Sequence, residues 1–384
     1  MGYVAVKGGT EAIENAKHLV EFYRLREETS PIDVAQIKSQ FRLAIDKIMG
    51  EGSFYAPEYG ALALKQVEGD ILEAAFVMRA YRATLSRNYY SEPINTENMF
   101  IERRISSSFR DIPGGQILGP TRDYTQRMLQ VDLATEDDED MKKFLEEFKK
   151  DVDTADKEEI TTFGKVIDLL RGQGLLKGVG NNEDTSVMDV TRVAVKYPAP
   201  RSARLQMLAR AETGGIMALG YSSMRGHGSV HPTVGELRVG LVKVNIKDHS
   251  GRQRYIGKIR VTEAEMISKA ATKSGNAKVP YYSIGYGLCF GQNETKAICM
   301  GILDRAMRIP GNNAPANDQE FVLYHTEGVE SLGFTNHLKL PHYVTFQSGL
   351  SNLRKAVKRK EENKNEEQSA KTGSVLEQVN DDLI

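Results

Sequence analysis

Cysteine is nearly absent from this chain of 384 residues, which contains only Cys289 and Cys299. Two thiols form neither a disulfide framework nor a zinc cluster, and their scarcity fits a reducing compartment. Long apolar runs are also missing, since no stretch approaches the ~20 apolar residues that span a bilayer. The first residues, Met1–Gly9, have no apolar segment behind a charged start. The sequence therefore predicts a cytoplasmic protein without a membrane segment.

An excess of either charge is missing as well. The 51 Lys and Arg residues and the 52 Asp and Glu residues leave a formal charge of −1. A protein that binds nucleic acid through many phosphate contacts needs an excess of basic side chains. The sequence therefore predicts no nucleic-acid partner, although local basic patches remain possible.

The usual nucleotide-binding motifs are incomplete. Gly215–Gly220 has the spacing of a P-loop, but Tyr221 stands where the lysine is needed. Gly251–Lys258 has one residue too many in its gap and no Ser or Thr after the lysine. In Gly285–Gly291 the third glycine comes one place late for a dinucleotide fingerprint. These failures predict a protein without NAD or flavin and without P-loop phosphoryl transfer.

The pattern of apolar residues predicts an α+β fold. Helical periodicity dominates the first part of the chain, with helix-start signals at Thr10, Ser30-Pro31, Pro57 and Asp70. Leu237–Val261 alternates around a His-Ser-Gly turn and predicts a β-hairpin. Thr262 followed by Glu265 resembles a capping box and predicts that the next element is a helix.

Composition suggests four segments. Residues 1–134 are predicted to be a mainly helical N-terminal domain, and residues 135–160 an acidic linker or exposed helix. Residues 161–350 are predicted to be a mixed α/β domain with antiparallel hairpins. Residues 351–384 are charged, have few apolar anchors, and are predicted to be a largely disordered tail.

Residues 103–127 combine arginines with a glycine-rich turn. Five arginines accompany Asp111-Ile-Pro-Gly-Gly-Gln116 and then Gly119-Pro120. Successive backbone N–H groups in such a turn can face an anion, and arginine adds bidentate recognition of phosphate oxygens. The other interpretation is a structural turn whose arginines pair with acids. Both interpretations stay open on the sequence alone.

Two further motifs allow a ligand without requiring one. Lys7-Gly8-Gly9 lies between a predicted strand, Tyr3–Val6, and a helix start, where a phosphate could bind, although a plain turn explains it equally well. His227 and His231 lie in a glycine-rich loop that is either solvated or faces a substrate.

The segment His337-Leu-Lys-Leu-Pro-His342 contains two histidines five residues apart. This spacing suits neither a helix face nor a strand face, and Pro341 disfavours helical geometry at Leu340. A loop could bring both imidazoles to one metal, but two histidines leave a zinc-type site short of ligands. The alternative is two ordinary polar histidines that flank a short strand.

Several ordered motifs resemble one family. From about residue 3 to 350 the chain is similar to the PhnI family, subunit I of the bacterial carbon–phosphorus lyase complex. The stretches that carry the resemblance are Val4–Gly9, Leu62–Gln66, Arg79–Arg82, Asp111–Gln116, Gly119–Thr121, Asp123–Thr125, Gly285–Leu288, Asp304–Ala306 and His337–Val344.

The resemblance implies a reaction that needs no P-loop. Such subunits, with their partners, displace adenine from ATP when a phosphonate oxygen attacks ribose C1, which gives a ribose 1-phosphonate 5-triphosphate. Alone, the chain is expected to act as a purine nucleosidase on ATP or GTP. The triphosphate must be held, with Mg²⁺, while the departing base is protonated, so electrostatic preorganisation is expected to dominate.

The resemblance also assigns residues and partners. It places a Zn²⁺-type transition metal on His337 and His342, which are also the first catalytic candidates, at a boundary with the radical iron–sulfur subunit J. Companion subunits G and H and ATP-binding-cassette-type subunits K and L are the other expected partners. Two cysteines cannot hold the iron–sulfur cluster here. Asp111 and Asp123 are general-acid candidates by residue type alone. The expected substrate-binding residues are Lys7, Gly8, Gly9, Arg110, Gly114, Gly115, Gln116 and Arg122.

Two other functions are compatible with these motifs. A scaffold subunit would dock partners and lend its two histidines to a metal site, with catalysis elsewhere. A stand-alone metal-dependent hydrolase would need a third nearby ligand motif, which the sequence lacks.

Overall fold

The computed structural model of the chain describes residues 9–154, 163–176, 187–225, 231–274, 277–308, 314–340 and 343–381. These residues form thirteen α-helices and a four-stranded antiparallel sheet, which confirms the predicted α+β class. Within the same ranges, no helix is both long enough and apolar enough to cross a membrane. The strand predicted at Tyr3–Val6 lies outside the described residues.

The chain divides into two compact units. Residues 30–331 form the larger unit, and residues 1–29 together with 332–384 form the smaller one. The predicted domain boundaries at residues 134, 160 and 350 stay predictions.

Four short helices open the larger unit: α2 (Val34–Gln40), α3 (Arg42–Gly52), α4 (Pro57–Gln66) and α5 (Ile71–Thr84). Pro57 begins α4 and Asp70 caps α5, as predicted. The helix predicted to open at Ser30 instead begins at Val34. Asp33 caps it, because its carboxylate accepts from the Ala35 N–H at 2.6 Å while Gln36 bonds back to the Asp33 N–H, and these two bonds form a capping box.

The sheet contains β1 (Phe100–Ile105), β2 (Thr233–Lys247), β3 (Gln253–Ser274) and β4 (Ala277–Phe290), in that order. β2 and β3 confirm the predicted hairpin. The helix predicted to start at Thr262 is wrong, because β3 continues for twelve more residues, to Ser274. There the backbone of Glu265 pairs with Glu236 on one side and Tyr286 on the other. Ladders on both sides satisfy the backbone of this strand, and this pairing outweighs a two-residue capping signal.

One face of the sheet packs on helix α10 (Glu294–Ala306), and its core includes Ala264, Met300 and Leu303. The packing is close because a Cβ atom on Gly285 would lie 1.9 Å from the Gly301 carbonyl oxygen. Since side chains alternate along a strand, the neighbours of Ala264 in β3 point to the opposite face.

The remaining helices of the larger unit are α6 (Asp138–Thr154), α7 (Val166–Gly172), α8 (Arg201–Arg210), α9 (Thr213–Met224) and α11 (Gln319–His325). The unit boundary at residue 331 falls within α12 (Gly328–His337). Helix α6 occupies most of the predicted acidic segment, and its described side chains are exposed. Helix α7 lies over the sheet face that does not contact α10, where Ile167 and Leu170 pack with Ile267.

The smaller unit contains α1 (Thr10–Leu25) and α13 (Tyr343–Asp381). No side chain of α1 is buried, and the described side chains of α13, from Phe346 to Gln368, are exposed. A helix with so little burial gains little from tertiary packing. The predicted disorder of residues 351–384 stays a prediction.

Candidate functional site

The glycines of the 103–127 segment allow tight packing. A Cβ atom on Gly114 would lie 2.2 Å from the ring of Phe163, and one on Gly119 would lie 2.4 Å from the Glu102 carbonyl oxygen. Gly115 faces open space, has a φ of 73°, and donates its N–H to the Ile112 carbonyl at 2.9 Å. These contacts favour the structural interpretation of the turn at Gly114 and Gly119.

The arginines of the segment divide into buried and exposed groups. Arg103 is buried and donates to Glu294 at 3.1 Å and to Asp123 at 2.6 Å. Arg104 is also buried and pairs with Glu236 at 2.6 Å, while its guanidinium holds the Pro113 carbonyl of the turn. Arg110 and Arg122, the two predicted substrate contacts, are exposed. Their role stays a prediction.

The other predicted residues of the segment have varied surroundings. Gln116 braces the loop, because its amide accepts from the Ser106 N–H at 3.1 Å and donates to the Phe109 carbonyl at 3.1 Å. Asp111 is exposed and lies 3.9 Å from Arg110. Asp123 pairs with Arg103. The predicted substrate contact of Gln116 and the predicted acid function of Asp111 and Asp123 stay predictions.

His337 is the last residue of α12 and not part of an extended loop. Its Nδ1 donates to the Phe334 carbonyl. In a neutral imidazole this bond leaves the lone pair on Nε2, as in metal-ligating histidines. His342 lies outside the described residues. Across the part of the chain that the structure describes, no three His, Cys, Asp or Glu side chains are grouped to hold a metal ion.

Two other predicted motifs are only partly described. The structure does not describe Lys7 and Gly8 of the Lys7-Gly8-Gly9 turn, nor His227 of the glycine-rich loop. Gly9 precedes α1 with a φ of 83°, a left-handed conformation that favours glycine.

The sheet face turned away from α10 carries a dense set of charges. Its members are Arg104 of β1, Glu236 and Arg238 of β2, Glu263 and Glu265 of β3, and Tyr286 of β4. We call these six residues the charged face. Every one of the five charged side chains is at most 5% exposed. Charges buried to this degree are costly unless they are paired and hydrogen-bonded.

Glu263 is the fully bonded carboxylate of the charged face. Its Oε1 accepts from Lys165 at 2.8 Å, from the Tyr286 hydroxyl at 2.8 Å and from Thr96 at 2.7 Å. Its Oε2 accepts from Arg238 at 3.0 Å. Burial by itself raises the pKa of Glu263, but the charges of Arg238 and Lys165 outweigh it and lower that pKa to about 2. Glu263 is therefore ionised at neutral pH.

Glu265 makes fewer hydrogen bonds than Glu263. Lys165 donates to its Oε1 at 3.3 Å, whereas its Oε2 is buried and makes no hydrogen bond with the described residues. Burial raises the pKa of Glu265 to about 7, with further increase from Glu263 and Glu236, despite the opposing charge of Lys165. Near neutral pH the carboxyl group therefore exchanges a proton readily, which is what a general acid or base requires.

A cavity of about 480 Å³ opens further along the same strand. Ile267, two residues after Glu265 and on the same face, forms part of its wall. The start of the glycine–arginine segment contributes Ser108 and Phe109, and His231 lines the cavity as well. The volume lies within the range of small-molecule sites. The cavity thus brings His231, for which the sequence left a solvated and a substrate-facing loop open, near the charged face.

Comparison with known proteins decides the family. The model of the bacterial phosphonate metabolism protein (PhnI) family matches residues 2–361. The chain belongs to the PhnI family. It is 45% identical over 360 residues to the putative C-P lyase subunit protein HtxH of Stutzerimonas stutzeri, with 92% of this chain and 95% of that protein covered.

Two other PhnI relatives carry the name alpha-D-ribose 1-methylphosphonate 5-triphosphate synthase subunit PhnI. The Rhizobium meliloti (strain 1021) protein is 43% identical over 360 residues, with 92% of this chain and 94% of that protein covered. The Escherichia coli (strain K12) protein is 44% identical over 361 residues, with 92% of this chain and 98% of that protein covered. The family expected from the motifs is confirmed.

The sequence motifs of this PhnI-family chain did not reveal the charged face. The reason is that a helix is predicted from Thr262, and this prediction assigns Glu263 and Glu265 to a helix instead of to β3. A signal was present, because Val261, Glu263, Glu265 and Ile267 alternate with Thr262, Ala264 and Met266. Neither series is wholly apolar, so the usual half-buried pattern is hidden.

Proposed function

We propose that this chain supplies the part of a C–P lyase assembly that exchanges the adenine of ATP for an alkylphosphonate. A phosphonate oxygen forms a bond to ribose C1 while the C1–N bond to adenine breaks with its electron pair. The products are adenine and a ribose 1-phosphonate that keeps its 5-triphosphate. The names of the Rhizobium and Escherichia relatives support this reaction class.

The observation that carries the proposal is the pair of buried glutamates whose pKa values are shifted in opposite directions. Breaking an N-glycosidic bond is aided by a proton for the departing base. Glu265 has the pKa to donate that proton near pH 7, and its Oε2 has no acceptor or donor in the described part of the chain. Glu263 stays ionised and fixes Lys165 and Tyr286 beside it.

The surroundings fit a substrate that is both flat and anionic. Phe109 and Tyr282 give the adjoining cavity apolar ring surface, and Lys269 adds a positive charge at its wall. Arg110 and Arg122 are exposed on the neighbouring segment and can hold the triphosphate with its Mg²⁺. Arg104 ties this segment to the charged face through the Pro113 carbonyl.

We also assign the two histidines a metal. The Nδ1 bond of His337 to its own helix leaves the tautomer that ligates through Nε2. His337 and His342 would hold a Zn²⁺-type ion whose other ligands come from a partner subunit, such as the radical iron–sulfur subunit. Such an ion would supply a positive charge to anionic oxygens.

The test is adenine release by the reassembled complex. Wild-type chain, partner subunits, MgATP and methylphosphonate are expected to give free adenine, quantified by chromatography. Glu265→Gln keeps the size of the side chain but removes the titrating proton, so we expect release to fall about 100-fold or more. Glu102→Gln is the matched control, because that carboxylate pairs with Arg260 and not with the charged face.

The pH profile sharpens this test. Wild-type turnover is expected to fall as the pH rises through about 7, where Glu265 loses its proton. The residual turnover of Glu265→Gln is expected to be flat over that range. ADP without adenine would refute the reaction class. Undiminished adenine release by Glu265→Gln in an intact complex would instead remove Glu265 from the mechanism and favour the scaffold function.

A further inference from the structure

Two arginines approach one buried carboxylate in the larger unit, and a third arginine lies near both of them. Arg79 and Arg82 lie on α5, and Arg210 ends α8. Arg79 donates to Glu327 Oε1 at 2.5 Å and to the Glu51 carbonyl at 2.5 Å. The Nε of Arg210 lies 3.7 Å from Glu327 Oε2, and Glu327 is 2% exposed. We call Arg79, Arg82 and Arg210 the arginine cluster.

In two members of the arginine cluster, most of the hydrogen-bond donors have no partner among the described residues. A guanidinium carries five N–H donors. Arg82 makes one hydrogen bond with the described residues, to the Ser53 carbonyl at 3.1 Å. Arg210 makes none with them, and its Nε is buried. Neither side chain has a carboxylate of the described chain within hydrogen-bond distance.

The charges of the cluster are not balanced by its acids. Burial lowers the pKa of Arg82, and the nearby charges of Arg210 and Arg79 lower it further. Burial and the charge of Arg79 also lower the pKa of Arg210, and the opposing charges of Glu327, Glu330 and Asp189 do not outweigh them. A guanidinium stays charged in proteins, so this repulsion is not relieved by loss of a proton.

Other acids near the cluster are committed or exposed. Asp189 forms an ion pair with Arg87 at 2.5 Å, and Glu330 lies on the surface. Among the described residues, Glu327 is thus the buried carboxylate that pairs with members of the cluster, through Arg79 and Arg210. Two positive charges in excess of it favour an anion beside Arg82 and Arg210.

We propose that Arg82 and Arg210 bind a phosphate-type oxyanion, either a phosphate of the nucleotide or the phosphonate group, and that Arg79 and Glu327 position them. The planar donor forks of two arginines match the oxygens of such a group in bidentate fashion. The site shares no residue with the charged face or the 103–127 segment. The proposal does not depend on the ribosyl-transfer reaction, because anion binding is measured without turnover.

The first experiment measures thermal unfolding of the full chain with inorganic phosphate, with ionic strength held constant by KCl. A ligand that binds only the folded state raises the unfolding temperature. We expect this rise in the wild-type chain and its loss in Arg82→Gln, whose affinity for phosphate should fall ten-fold or more. Arg171→Gln is the control, because Arg171 lies on the surface in an ion pair with Asp168.

The stability without phosphate separates anion binding from a structural role. Since Arg82 is repelled by its neighbours and makes one hydrogen bond with the described chain, Arg82→Gln is expected to unfold at the wild-type temperature or above it. A fall would assign Arg82 a structural role and overturn the proposal. Arg210→Lys provides a second variant that keeps the charge but loses the donor fork, and it should bind phosphate more weakly than the wild-type chain.

The second experiment identifies the source of the oxyanion. Binding of MgATP and of methylphosphonate is measured by calorimetry for the wild-type chain and Arg82→Gln. Weaker binding of MgATP alone would assign the cluster to the nucleotide phosphates, and weaker binding of methylphosphonate alone would assign it to the phosphonate. A wild-type chain that binds neither these nor phosphate, or variants that bind all three unchanged, would overturn the proposal.

Discussion

The two faces of the four-stranded sheet are made from the same strands and follow opposite physical rules. The face on α10 is closed by Ala264 and Met266 and by glycines that let backbones touch. The charged face carries three carboxylates and two guanidiniums in similar burial. Along β3, residues that pack against α10 thus alternate with residues that form ion pairs on the opposite face. The apolar face explains why the sheet forms, whereas the charged face buries ionisable groups whose cost must be offset by pairing.

The largest expected effect breaks the apolar face. In Gly285→Ala the new Cβ atom would meet the Gly301 carbonyl oxygen at 1.9 Å, and backbone on both sides prevents a cheap adjustment. We expect a loss of about 4 kcal/mol or more in the free energy of unfolding, measured by urea denaturation. The matched control is Gly172→Ala, where nothing lies within 4 Å. Equal stability of the two variants would contradict the close packing on α10.

A smaller effect is expected from unbalancing the charged face. Glu236 accepts from Arg104 at 2.6 Å and from the Val166 N–H at 3.1 Å. The side chains of Glu236 and Arg104 are each 1% exposed. Glu236→Gln leaves the Arg104 charge uncompensated, so we expect a loss of about 3 kcal/mol. Replacing both residues by Met should recover much of that loss in urea denaturation. A double variant as unstable as Glu236→Gln would show that the pair is not the cause.

The fold was predictable where local signals agree with burial. Pro57 and Asp70 mark helix starts that the structure keeps, and the hairpin of β2 and β3 follows from its alternating residues and its turn. The helix predicted at Thr262 failed because the strand is long and is paired on both sides, which a local capping signal does not report. For His337 the sequence left a loop and the flank of a short strand open, whereas α12 includes it.

The candidate site was predictable only in part. The glycine–arginine segment was identified from its sequence, but the burial of Arg103 and Arg104 depends on acids 191 and 132 residues further along the chain. Glu263 and Glu265 differ by two positions and have the same side chain, yet their environments give them opposite pKa shifts. Such differences arise from the neighbours that tertiary structure supplies, and no local motif encodes them.

An effect of the opposite sign, which shrinks as the pH falls, is expected from Glu265. Its pKa is about 7 in the folded chain against 4.5 for the free group, so the folded chain holds this proton more tightly than the unfolded chain does. The contribution of the protonated Glu265 carboxyl group to the free energy of unfolding is therefore complete below about pH 4.5. It declines as the pH rises and is lost above about pH 7. Each pKa unit between the folded and unfolded chain corresponds to about 1.4 kcal/mol, so ionised Glu265 lowers the free energy of unfolding by up to about 3 kcal/mol at pH 8.

Glu265→Gln removes that penalty because an amide does not ionise. We expect the variant to be more stable than wild type at pH 8 by up to about 3 kcal/mol, and the difference to shrink towards pH 5, in urea denaturation at both pH values. Glu263→Gln is the control with the reverse sign: the pKa of Glu263 is lowered, so its ionised form stabilises the fold above about pH 4.5. If both variants lose stability at pH 8, Glu265 is a structural ion-pair partner of Lys165, and the contrast between the two glutamates disappears.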